Sequence, residues 1–123
     1  MRLGIEATNL RMGGGLTHLR ELLRAAEPRA HGFSSVVVWA GRQTLEQLPA
    51  SHDWLQLREH RSRTAGLVHR AWSQTVASTR QARHACDVLF VPGGEYAGGF
   101  HPLVTMSRSM LPFDARERAR YGW

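Results

Sequence analysis

Leu3-Gly-Ile-Glu-Ala-Thr-Asn-Leu10, followed by Arg11-Met-Gly-Gly-Gly-Leu-Thr-His-Leu-Arg-Glu-Leu-Leu-Arg-Ala-Ala26, decides how the rest of the chain reads. The first part is a strand-like run. In the last part Leu16, Leu19, Leu22, Leu23 and Ala26 recur at spacings of three and four, which lays one apolar stripe along a helix beginning near Leu16. Pro28 and Gly32 close that helix. Three consecutive glycines stand between strand and helix, where backbone freedom is greatest.

The same alternation continues downstream. Phe33 to Gly41 (FSSVVVWAG) is a β-branched run bounded by glycine and predicts a buried strand. Gln43 to Ala50 predicts a short helix stopped by Pro49, and Trp54 to His60 (WLQLREH) a third strand. From Gly66 to about Ala85, Leu67, Val68, Ala71, Trp72, Thr75, Val76 and Thr79 fall on one helical face. CDVLFVPGG (86–94) and PLVTMSRSM (102–110) supply two more strands. Strands that read as unbroken apolar runs belong to parallel sheets covered on both faces. The expected fold is α/β and Rossmann-like: a mostly parallel sheet flanked by helices, forming one domain over residues 1–123.

Composition narrows the functional classes. With 123 residues and 42% hydrophobic content, the chain fits one small globular domain, and no apolar run reaches the roughly 18 residues of a membrane span. The N-terminus enters a strand pattern with Glu6 and shows no export signal, and the lone Cys86 has no partner for a disulfide. A cytoplasmic location is expected. The net charge of +6 suggests polyanions, yet all 16 basic residues are arginine and they are scattered, with no reading motif for nucleic acid. Solvated surface is the favoured reading of that charge.

In a parallel α/β sheet the loop between first strand and first helix lies at the carboxyl edge, where ligands bind. The positive end of the helix dipole and its free N–H groups suit a phosphate there. Gly13, Gly14, Gly15 and Thr17 are therefore the expected diphosphate loop, although the stretch matches neither the dinucleotide fingerprint nor the Walker pattern. A second cluster surrounds Glu95 and Tyr96 with the pairs Gly93-Gly94 and Gly98-Gly99, followed by His101 and by Ser107-Arg108-Ser109. Hydroxyls, a carboxylate and an aromatic ring in such a loop suit a sugar-sized cleft.

The glycine-rich first loop with its helix, DVLFVPGG (87–94), and above all PLVTMSRSMLPFD (102–114) resemble the N-terminal half of family 4 glycosyltransferases, the group 1 type with GT-B architecture. The resemblance spans essentially the whole chain, and its most specific part is VTMSRSMLPF (104–113), similar to a bacterial pattern V-T-M-S-Q-N-L/M-L-P-F. It implies an acceptor-side domain facing a separate nucleotide-sugar-binding domain across a cleft. It implies Gly13 to Gly15 against the donor diphosphate, and the Glu95 loop and Ser107 to Ser109 facing the transferred sugar or acceptor. The implied reaction transfers a sugar from a nucleotide diphosphate sugar to an acceptor hydroxyl, usually with retention and without an obligatory metal. No cofactor beyond that donor substrate is implied. The implied partners are the donor, a sugar, lipid-linked or small-molecule acceptor, and the absent donor-binding domain.

Departures bear on the site. Met106 and Ser107 occupy the region where many members carry a histidine, so no catalytic residue is assigned, and Arg108 and Ser109 replace the subgroup's glutamine and asparagine. Asp114 and Glu117 form a capping-box pattern opening a helix that stops after about two turns, so the expectation is a truncated chain, weakly active or inactive by itself. The seven histidines show no metal-ligand spacing, and Cys86 is expected to be a buried small hydrophobe. Trp39, Trp54 and Trp72 are expected in or beside the core, and Trp123 is expected to be exposed. The alternative is a non-catalytic Rossmann-like remnant or partner-binding module. An oxidoreductase half is weaker, because Trp39-Ala-Gly41 supplies no acidic residue for a ribose.

Overall fold

The computed structural model describes residues 1–10, 12–60, 79–80, 82–93 and 98–106. The apolar runs form strands β1 (Arg2–Glu6), β2 (Ser35–Ala40), β3 (Leu55–Glu59), β4 (Val88–Val91) and β5 (Leu103–Thr105). Helix α1 spans Gly14–Ala25, the four-residue helix α2 spans Arg42–Leu45, and Pro28–His31 is a 3-10 turn. Residues 79–80 and 82–85 are helical and lead into β4. All strand pairs are parallel, in the order β3-β2-β1-β4-β5. The sheet is the α/β, Rossmann-like arrangement that the alternation predicts.

Register follows from strand period. Leu3 and Ile5 of β1 pair with Val36 and Val38 of β2, and their side chains share one face. On that face Ile5, Val36, Val38 and Ala40 pack with Leu16, Leu19 and Leu23 of α1 and with Trp54. The alternate residues Val37, Trp39, Leu89 and Val91 pack on the other face with Ala82, Cys86 and Phe100. Both faces of the central strands are thus covered, which is why β2 and β4 are nearly all apolar, whereas edge strand β3 carries Gln56, Arg58 and Glu59.

The structure adjusts several boundaries. The first strand ends at Glu6, although the N–H of Ala7 still donates to Trp39 O at 2.8 Å. Helix α1 begins at Gly14, two residues before Leu16, so only Gly13 of the triplet lies outside it. Leu22, placed on the apolar stripe by spacing, is 40% exposed at its margin, whereas Leu19 is fully buried. Trp39, Trp54 and Cys86 are buried as expected; Trp72, Trp123 and the capping-box pattern at Asp114 lie outside the described residues.

The amino edge is closed by charge. Arg2 donates through Nε and Nη2 to the Asp87 carboxylate at 3.4 and 3.1 Å, and its backbone N–H donates to Asp87 Oδ2 at 2.7 Å. The Asp87 N–H donates in return to Arg2 O at 2.8 Å. These bonds, led by the Arg2 guanidinium, hold the Asp87 carboxyl below the usual carboxylate range.

Candidate functional site

The chain leaves β1 through α1 toward β2 on one side, and β4 is inserted on the other side of β1. The carboxyl ends of β1 and β4 therefore flank the point where strand order reverses, the place where open α/β sheets leave a crevice for ligands. Ala7 to Asn9 extend from β1 at this edge, and Pro92 and Gly93 extend from β4.

Gly13 turns the first of these loops into α1. Its φ of 84° and ψ of −161° are open to glycine and strained for a residue with a Cβ. Gly13 is the N-cap of α1 and offers no side chain, and the first turn carries no acidic residue. Thr17 lies one turn in: its N–H and its hydroxyl both donate to Gly13 O, at 3.1 and 3.3 Å. The N–H groups of Gly14, Gly15 and Leu16 precede the first acceptors an α-helix provides, so the positive end of α1 faces the turn.

Two further contacts shape the loop. The Leu10 N–H donates to Ala7 O at 3.0 Å, and the buried Thr44 hydroxyl of α2 donates to Leu10 O at 2.5 Å. Glu6, only 9% exposed, ends β1, and its Oε1 accepts from the N–H of Thr8 at 3.0 Å and from the Thr8 hydroxyl.

Of the residues picked out by sequence, Gly13, Gly14, Gly15 and Thr17 stand together at the carboxyl edge, with Gly14 and Gly15 inside the helix rather than in the loop. His101 is placed elsewhere. Leu103 pairs with Leu89 near the start of β4, so exposed His101 lies at the amino edge of the sheet, opposite the carboxyl ends of β1 and β4. Glu95, Tyr96, Ser107, Arg108 and Ser109 lie outside the described residues. Glu6, Thr8 and Thr44 are not singled out by the sequence pattern. The available signal is an acidic residue directly after the apolar stretch Leu3–Ile5, where an unpaired charge is costly.

Burial pushes the Cys86 thiol up, away from the thiolate form a nucleophile needs. Among the described residues no group of three or more His, Cys, Asp or Glu is placed to hold a metal, and no helix is long and apolar enough to cross a membrane. A separate apolar cavity of about 410 Å³ lies on the α1 face, lined by Leu3, Leu22, Ala26, Phe33, Trp54 and Phe90 among others. No family model, curated protein or solved structure matches the chain.

Proposed function

We propose that the chain is the acceptor-side domain of a glycosyltransferase whose donor is a nucleotide diphosphate sugar. The observation that carries this reading is Gly13: a backbone conformation reserved for glycine opens α1 at the carboxyl edge, where the strand order reverses between β1 and β4. A departing diphosphate develops charge as the glycosidic bond breaks, and a helix N-terminus stabilises that charge without reorganising. The resemblance of residues 102–114 to family 4 glycosyltransferases supports the choice of reaction class. In the proposed enzyme the chain orients the acceptor and holds one side of the diphosphate, while a second domain supplies the cations and the donor's base contacts. Alone, the chain binds without turning over.

A panel of nucleotide diphosphate sugars, with NAD as the competing ligand class, tests this by ligand-observed NMR. Binding of at least one sugar nucleotide through its diphosphate, with no release of free sugar, is the expected result. Preference for NAD, or no binding across the panel, would remove the reading.

A further inference from the structure

We propose that Glu6 is a ligand-binding carboxylate that receives a hydroxyl of a neutral sugar or of a ribose at the carboxyl edge, beside the switch point between β1 and β4. The inference rests on the proposed use of that edge and adds a second subsite beside the α1 turn.

Glu6 is the last residue of the central strand, and it lies in register with Trp39, a core residue of β2. A carboxylate so nearly buried needs hydrogen bonds to offset lost hydration. Thr8 provides two of them, both to Oε1. Among the described residues no donor meets Oε2. Because Oε1 reaches the N–H of a residue beyond the strand end, the side chain extends past β1 toward the carboxyl edge.

The chemistry then selects the ligand. An ionised carboxylate only accepts hydrogen bonds, so its complement is an O–H or N–H donor, and an anion at the same spot is repelled. The two subsites therefore divide the work. The start of α1 offers donors and a positive dipole end to an anion. Glu6 offers one fixed acceptor to a hydroxyl. Thr8 holds the carboxylate in one orientation, so little side-chain freedom remains to be lost when the hydroxyl arrives.

The test titrates the ¹⁵N-labelled chain with methyl glucoside, methyl galactoside and methyl mannoside, with uridine, and separately with inorganic pyrophosphate. The proposal predicts saturable shifts at the Thr8 amide with a glycoside or with uridine, the two arms separating sugar from ribose. Glu6→Gln then weakens that ligand about tenfold, the value of a hydrogen bond to a charged group, and leaves pyrophosphate equal or tighter. Unchanged affinity for the neutral ligand in Glu6→Gln overturns the proposal. So does silence of the wild-type Thr8 amide toward every neutral ligand, a readout that needs no variant to fold. Pyrophosphate shifts at Gly14 and Gly15 with no neutral ligand bound would sink the Glu6 subsite while the diphosphate reading survives; the converse pattern would do the reverse.

Discussion

A Cβ built on Gly4 would lie 2.6 Å from Cys86 Sγ and 2.8 Å from the ring of Trp39. Glycine in β1 thus makes room for the thiol of the segment entering β4 and for an indole from β2, on the face that also carries Leu89 and Val91. The same packing buries the Cys86 thiol, which donates to Ala82 O at 3.4 Å.

Gly4→Ala therefore overpacks the second core. The expected loss is about 1–3 kcal/mol in urea unfolding. Adding Cys86→Ala recovers part of it, since the sulfur contact goes while the Trp39 ring stays. Equal stability of Gly4→Ala and wild type would contradict this packing.

The first core depends on α1. Leu19 is fully buried and Leu22 is 40% exposed, three residues apart on the same helix. Leu19→Ala is expected to cost about 2–5 kcal/mol and Leu22→Ala a fraction of that, measured by the same unfolding curves. Similar losses for the two would mean that the stripe is rotated from the one described.

Arg2 and Asp87 give a pH-dependent contribution. The folded Asp87 carboxyl titrates below its unfolded value of about 3.9. Its stabilisation is therefore complete above that value and fades as pH falls through it toward the lower folded value. Both side chains are about half exposed, so the effect is small and weakens with salt. Asp87→Asn should lower stability at neutral pH and flatten its decline under acid conditions. A decline of unchanged steepness in the variant would assign the acid sensitivity to other carboxylates.

Thr44 links α2 to the segment that leads into Gly13. Thr44→Val leaves Leu10 O without its buried donor and should cost about 1–3 kcal/mol. It should also weaken pyrophosphate binding, because the segment leading to Gly13 loses its anchor. Stability lost with binding intact would show that the loop is held by other means.

How much of this was legible beforehand depended on the kind of interaction. Val36 to Trp39 and Val88 to Val91 announce strands because burial on both faces leaves a continuous apolar run, and the strand–helix alternation implies the parallel sheet. Helix α1 starts two residues earlier than its apolar stripe suggests, because glycine reads as loop although Gly14 and Gly15 are already helical. Sequence proximity groups His101 with the carboxyl-edge loops, and only the pairing of Leu103 with Leu89 places it at the opposite edge. Glu6 to Thr8 is a local contact that spacing alone does not single out. Arg2 and Asp87 meet across 85 positions, which no periodicity predicts.

The most direct measurement on the central claim follows the backbone amides of Gly14, Gly15 and Thr17 while inorganic pyrophosphate is added to the wild-type chain and to Gly13→Ala. A Cβ at Gly13 strains the turn by about 1–3 kcal/mol, so saturable shifts confined to the start of α1 are expected in the wild type and roughly tenfold weaker binding in the variant. Shifts spread over the exposed arginines, with equal affinity in both chains, would contradict it.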